Sequence, residues 1–284
     1  MSKIALGTVQ FGLDYGISNV SGQVPCMEVK KILKLAKENL INTLDTATGY
    51  GNSEKVLGRA GVDDFKIVTK TAPMRLGVDN VLRSFHQSLK NLNVANVHGL
   101  LIHNLDDIKN KKFHILFKAL EILKQDKLIN KIGFSTYTPN QVDFLLENFD
   151  FDLIQVPFNV FDTRLLEGGQ LQSLKRKKIE IHARSVFLQG LLLTPPHKRP
   201  KFFSKWSDLF RKWDLWLKSN NLTGLEAALS FALSENLIDK IVIGVDNNVQ
   251  LMEVISASKI CNLDVPKNLN TRDEILLNPS LWDV

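Results

Sequence analysis

Four residues whose types cooperate in proton transfer fall at the carboxyl ends of three successive apolar runs. Asp45 follows Ile41-Asn42-Thr43-Leu44, and Tyr50 lies five residues on in Asp45-Thr46-Ala47-Thr48-Gly49-Tyr50-Gly51-Asn52-Ser53-Glu54. Lys70 follows Phe65-Lys66-Ile67-Val68-Thr69, and His103 follows Val97-His98-Gly99-Leu100-Leu101-Ile102. A tyrosine hydroxyl, with a pKa of about 10, is too weak an acid to protonate an alkoxide-like oxygen quickly at neutral pH. An ammonium beside it favours the phenolate and lowers that pKa. A carboxylate paired with the ammonium keeps it charged and directed, and a histidine can donate a hydrogen bond to the same substrate oxygen. Such a group gives or takes a proton at an oxyanion-type site while a nicotinamide cofactor carries hydride.

Met singly, each residue has an ordinary structural role. A carboxylate at a strand end caps helices or pairs at the surface, a tyrosine packs, a lysine is solvated, and a histidine is satisfied within its loop. Their joint order on consecutive strand ends outweighs those readings. Ser53 reads as the N-cap of the helix that follows Tyr50.

The elements that must position the four alternate regularly. Strand-like runs are predicted at 4–8, 42–47, 65–71, 97–103, 131–136, 153–159, 179–185 and 240–245. Helical stretches are predicted at 25–39, 53–59, 78–92, 108–126, 139–148, 164–177, 223–236 and 248–258. In 78–92, Val78, Val81, Leu82, Phe85, Leu89 and Leu92 recur at the spacing of a core-facing helix. The strands are mostly continuous apolar runs, as expected when both faces are covered. Eight such repeats with no compositional break predict one (β/α)8 TIM barrel domain over 1–284, with its active site at the carboxyl ends of the strands. A doubly wound sheet would place its dinucleotide on a Gly-x-Gly-x-x-Gly turn, and the chain has no such motif.

One segment breaks the repeat. Nearly forty residues separate the seventh strand from the 223–236 helix. They hold Pro195-Pro196-His197-Lys198-Arg199-Pro200, then a stripe of Trp206, Leu209, Phe210, Trp213, Trp216 and Leu217. The expectation is an extra helix packing its aromatic face on the barrel; a membrane-surface helix is the weaker alternative, since Asp208 and Asp214 reduce its basic character. The tail Leu277-Asn278-Pro279-Ser280-Leu281-Trp282 either closes over a substrate or caps the barrel.

The composition sets outer bounds. With 284 residues, 44% hydrophobic and 23% charged, the chain can bury a sizeable core. No run approaches the ~18 apolar residues of a membrane span, and the first residues lack a secretory pattern. The two cysteines, Cys26 and Cys261, stand in no ligand spacing, so the chain reads as cytoplasmic with reduced thiols. The net charge of +6 is scattered; it points to no nucleic acid and suits an anionic cofactor or substrate. His86, His98, His114 and His197 have no metal-ligand spacing, and no metal is expected.

The motifs Asp45-Thr46-Ala47-x-x-Tyr50-Gly51-x-Ser53-Glu54, Lys70 after a strand, and Ile102-His103-Asn104 resemble the catalytic motifs of the aldo-keto reductases. The likeness covers nearly the whole chain. It implies that Tyr50 is the general acid/base, that Lys70 lowers its pKa, that Asp45 holds Lys70, and that His103 orients a small-molecule carbonyl. Gly133-Phe134-Ser135 and Gln155-x-x-x-Asn159 are similar to the family's cofactor segments on strands five and six. Ser135 and Gln155 would then hold the nicotinamide carboxamide. Ile243-Gly244 with Gln250 and Glu253 resembles the adenosine-binding segment. By the same resemblance the cofactor set is Thr8, Ser135, Gln155, Arg184, Ser185, Gly244, Asp246 and Gln250, and the cofactor is NADP (NADPH), with NAD not excluded. The openings Val9-Gln10-Phe11-Gly12 and Arg184-Ser185-Val186-Phe187-Leu188-Gln189-Gly190 look similar to members found among bacterial surface-polysaccharide genes, which implies a sugar or nucleotide-sugar substrate.

The departures from the family pattern are informative. Thr136 stands where asparagine is common, and Gln250 where some members place arginine against a 2′-phosphate. Arg184 occupies the position of a stacking aromatic ring; its residue type suits either a cofactor contact or a structural pair with Asp45 or Glu180. His182 reads as a barrel-layer residue. Two further function classes stay open: a cofactor-binding, redox-sensing subunit, and an isomerase or lyase that recycles bound NADP.

Overall fold

Eight short strands close into a parallel barrel in chain order: β1 Ile4–Gly7, β2 Thr43–Asp45, β3 Lys66–Lys70, β4 Val97–Ile102, β5 Ile129–Ser135, β6 Leu153–Pro157, β7 Glu180–Arg184 and β8 Lys240–Gly244. Each pairs with its sequence neighbours, and β1 meets β8 through Ile4↔Ile241 to Gly7↔Gly244. The computed structural model describes residues 2–17, 19, 22–260, 263 and 265–283; Cys26 is exposed, and Cys261 lies outside the described residues.

The outer layer is built by α1 Cys26–Glu38, α2 Ser53–Ala60, α3 Val78–Leu92, α4 Phe113–Gln125, α5 Pro139–Asn148, α6 Arg164–Glu167, α7 Gln170–Arg176, α8 Ser207–Ser219, α9 Gly224–Ser234, α10 Asn248–Ala257 and α11 Glu274–Leu277. The helices lay periodic apolar stripes on the strands; α3 buries Val81, Phe85, Leu89 and Leu92 as its spacing requires. Two helices start at capping boxes, Thr138 with Gln141 and Thr223 with Glu226. The main core lies between barrel and helices, while Val68, Leu101 and Leu153 form a separate cluster.

The structure departs from the sequence pattern in three places. The 164–177 stretch divides into α6 and α7 because Gly169 takes φ 81, in the left-handed region. The 108–126 stretch begins as a separate 3-10 turn, Leu105–Lys109, capped by the Asn104 side chain and ended by extended backbone at Asn110. Ser53 is not the cap of α2: Asn52 holds that position without a side-chain bond. The Ser53 hydroxyl instead donates to the Thr8 carbonyl oxygen at 2.8 Å, tying the start of α2 to the end of β1.

The long segment after β7 forms 3-10 turns and then α8, whose aromatic face turns inward. Phe210 and Trp213 pack in a second core with Phe161, Leu188, Leu191 and Leu276, and the Trp213 indole N–H donates to the Leu192 carbonyl oxygen at 3.2 Å. The stripe is therefore covered by the barrel rim and is not a membrane-facing surface. The tail joins this cluster, with Trp282 edge-on to Phe203 at 4.8 Å. Among the described residues no helix is long and apolar enough to cross a membrane.

Candidate active site

Asp45 and Lys70 are the last residues of β2 and β3, and His103 directly follows β4. Parallel register puts these ends side by side at the barrel mouth. Lys70 is 1% exposed, and its ammonium donates to both Asp45 carboxylate oxygens at 2.6 Å and to the Thr46 carbonyl oxygen at 2.9 Å. The same nitrogen lies 3.2 Å from the Tyr50 hydroxyl. Tyr50 is brought back over the barrel by a close approach between two loops. A Cβ on Gly12 would meet the Tyr50 carbonyl oxygen at 1.9 Å, and Gly51 turns with φ 56. The His103 ring stands edge-on to Tyr50, with ring centroids 5.9 Å apart.

Burial dominates the acid–base behaviour of the group. It pushes the Tyr50 hydroxyl above its ordinary value, and the nearby Lys70 charge offsets only part of that effect. The expectation that Lys70 lowers the Tyr50 pKa thus holds for the direction of its contribution and not for the net result. Burial also opposes the Lys70 charge, but Asp45 and Tyr50 more than compensate and raise its pKa. His103 is pushed down to about 4, by burial first and then by the Lys70 charge, so it is neutral at physiological pH.

The expected cofactor residues divide into two groups. Around the reacting pair, the Gln155 amide nitrogen donates to Asp45 Oδ2 at 2.9 Å. A carboxylate only accepts, so this bond fixes the amide orientation and leaves Oε1 as the end open to a ligand. Ser135 ends β5 in register with Gln155. Arg184 ends β7; it donates to the Thr136 carbonyl oxygen and the Ser185 hydroxyl, and its guanidinium lies 4.0 Å from the Tyr137 ring centre. Neither structural pairing considered for Arg184 forms, because Asp45 is held by Lys70 and Gln155 while Glu180 bonds His98, Lys131 and His182. That second cluster lies at the opposite, amino-terminal end of the strands, and His182 is fully buried there as a barrel-layer residue. Thr8 is spent internally: its hydroxyl donates to the Asp45 carbonyl oxygen at 2.9 Å and accepts from Ser53.

The other group sits where β8 enters α10. Gly244 ends the strand, and a Cβ there would meet the Gln10 amide at 2.4 Å. Gln250 closes a ring with Asp246: its Oε1 accepts from the Asp246 backbone N–H at 2.8 Å, and its amide nitrogen lies 3.3 Å from Asp246 Oδ2. Buried polar atoms without partners mark this rim, namely Gln10 Oε1, Thr136 Oγ1 and Asp246 Oδ1. Unsatisfied buried acceptors and hydroxyls along the strand ends suit a long, polar, hydroxyl-rich ligand such as a dinucleotide. Among the described residues, no three His, Cys, Asp or Glu side chains gather to hold a metal ion.

Sequence reasoning passed over Tyr15 and Tyr137. Yet the chain has just three tyrosines, and Tyr50 and Tyr137 both act on Tyr15 at this mouth, where burial first raises its pKa. The Tyr15 hydroxyl accepts from the Gln189 amide at 3.0 Å, linking the loop after β1 to the loop after β7. Scarcity of a residue type was the available signal. Glu54 is also buried; it accepts from the Thr69 hydroxyl at 2.7 Å and anchors α2 to β3.

A closed parallel barrel whose mouth holds a buried Asp–Lys pair against a tyrosine and a neutral histidine is an arrangement suited to proton transfer at an oxygen. Residues 3–275 match the Aldo/keto reductase family, and the chain belongs to it. An aldo-keto reductase of Mycolicibacterium smegmatis is 28% identical over 180 residues, 61% of this chain and 64% of that protein. This chain thus spans under two thirds of the length of the mycobacterial relatives it matches. The Bacillus subtilis oxidoreductase YqkF is 24% identical over 91% of both chains. Among solved structures, aldo-keto reductase AKR11C1 from Bacillus halodurans superposes with a TM-score of 0.74 at 18% identity, covering 99% of this chain and 94% of that one. Glycerol dehydrogenase AKR11B4 from Gluconobacter oxydans gives 0.72 at 21% identity, covering 100% and 94%. These two establish the shared fold.

Proposed function

We propose that this protein reduces an aldehyde or ketone with a reduced nicotinamide dinucleotide, Tyr50 delivering the proton. The observation that carries the reading is one buried ammonium, Lys70, held by Asp45 at 2.6 Å and facing the Tyr50 hydroxyl at 3.2 Å. Because burial raises the Tyr50 pKa, the hydroxyl is protonated at neutral pH and ready to donate. As the proton leaves, the Lys70 charge stabilises the phenolate, and Asp45 keeps that charge in place. Neutral His103 can donate one hydrogen bond to the carbonyl oxygen without adding a second cation beside Lys70. The bound cofactor supplies the hydride. Ser135 and Gln155 Oε1 are the groups that would hold its carboxamide, with Gly244, Asp246 and Gln250 at its adenosine end.

NADPH is the family's usual reductant, and a sugar or nucleotide-sugar carbonyl is the substrate class that the resemblance favours. A second reading, NADH, has its own support. The open acceptor Asp246 Oδ1, with Gln250 tied to the same carboxylate, suits a ribose hydroxyl; a 2′-phosphate would meet a carboxylate there. Titration of the purified protein with NADPH and with NADH, followed by nicotinamide and tryptophan fluorescence, tests the proposal. Saturable binding of either supports a nicotinamide enzyme and selects the reductant. Binding of neither would overturn it.

A further inference from the structure

The mouth of the barrel carries one charge, on Arg184, that acts on Tyr50 and His103 from a distance and is bonded to Thr136 and Ser185 instead of to the acid–base group. The ionised groups acting on His103 are Lys70, Asp45 and Arg184. Asp45 and Lys70 neutralise each other across two contacts of 2.6 Å. Among the described residues, no carboxylate pairs with Arg184, so the site has an excess positive charge at its end of β7.

Arg184 is also held in place. Of the five N–H donors on a guanidinium, one goes to the Thr136 carbonyl oxygen at 2.8 Å and one to the Ser185 hydroxyl at 3.2 Å; five less two leaves three uncommitted. The guanidinium lies 4.0 Å from the Tyr137 ring centre, which limits its motion further. The backbone beneath it is unusual: Ser185, Leu188 and Gln189 take φ of 58, 48 and 52. Non-glycine residues in that region cost free energy and persist where surrounding bonds impose them. Here the Asn159 amide donates to the Ser185 carbonyl oxygen at 3.0 Å. A fixed, half-buried guanidinium with free donors and no counter-ion is a receptor for an oxyanion.

We propose that Arg184 selects carbonyl substrates bearing an anionic group, a carboxylate or a phosphate, near the reacting carbon. The inference rests on the reductase reading above and adds the charge class of the substrate. An anion at Arg184 returns the site to neutrality while leaving Tyr50 and His103 free for the carbonyl oxygen.

The test compares carbonyl pairs that differ in the anion: glycolaldehyde with glycolaldehyde phosphate, and butanal with succinic semialdehyde. Wild-type kcat/KM should favour the anionic member of at least one pair on the order of 10- to 100-fold, the size of a charge-assisted hydrogen bond. The phosphate pair and the carboxylate pair tell the two groups apart. In Arg184→Met the anionic-to-neutral ratio should fall to about one, and Arg184→Lys should retain part of it by charge alone. A wild-type ratio near one in both pairs, or a ratio that survives in Arg184→Met, overturns the proposal. A changed cofactor affinity with an unchanged ratio would do the same and return Arg184 to the cofactor. If none of the four is turned over, the reductase reading fails. The anion site is then decided by tryptophan fluorescence with succinate and inorganic phosphate: saturable quenching in wild type, absent in Arg184→Met, supports it, and equal or no quenching overturns it.

Discussion

Replacing Lys70 by Met removes the charge that the whole mouth is arranged around. The ion pair is almost wholly out of water, with side-chain exposures of 1% and 4% for Lys70 and Asp45. At 2.6 Å and an effective dielectric of about 20, the gross attraction is roughly 6 kcal/mol, most of it offset by the desolvation of two ions. Deleting one partner leaves Asp45 as a buried, uncompensated carboxylate held only by Gln155, a situation that costs about 3–5 kcal/mol. The melting temperature should then fall by roughly 5 to 8 °C. Removing both charges in Asp45→Asn/Lys70→Met takes away the uncompensated ion, so the double variant should lose less than the sum of the single ones, by about 2 kcal/mol or more. Urea unfolding of all four proteins gives the cycle directly. Strictly additive losses, or a Lys70→Met protein as stable as wild type, would show that the pair is not the buried, coupled unit described. Both single variants should also reduce turnover by roughly 100- to 10,000-fold, the range of a lost acid–base partner.

Two further outcomes follow from burial. His103 has a folded pKa of about 4 against 6.5 when unfolded, so the unfolded chain binds the extra proton and stability falls as pH drops through 6.5 toward 4. The loss is at most about 3 kcal/mol; the urea midpoint of wild type should decline more steeply across that window than that of His103→Gln, and parallel curves would refute the assignment. Trp213 is fully buried at the centre of the second core; Trp213→Ala should cost about 3–5 kcal/mol, and a thermal shift near zero would mean the cluster does not hold the insertion down.

The barrel was legible because its strands are continuous apolar runs separated by amphipathic helices, a pattern that survives without any knowledge of contacts. Asp45, Tyr50, Lys70 and His103 were legible because ionisable groups are conspicuous at the ends of such runs. What the pattern could not carry was partnership. Ser53 has the residue type of a helix cap, yet its hydroxyl bonds Thr8 just past the end of the neighbouring strand β1. Gln155 turned out to orient Asp45 through a contact spanning 110 positions. Arg184 had two candidate carboxylate partners, Asp45 and Glu180, and both are taken by other groups. The net pKa of Tyr50 depended on burial, which residue type alone does not reveal, and Tyr15 and Tyr137 lie in loops without periodicity.

The central claim is that Tyr50 passes a proton to a carbonyl oxygen. The most direct test is the turnover of Tyr50→Phe beside wild type, with nicotinamide absorbance following cofactor consumption and fluorescence titration following cofactor binding. The account predicts turnover reduced by at least about 100-fold with cofactor affinity within about threefold of wild type, since the lost hydroxyl serves the substrate oxygen. A variant that reduces carbonyls as fast as wild type would contradict it.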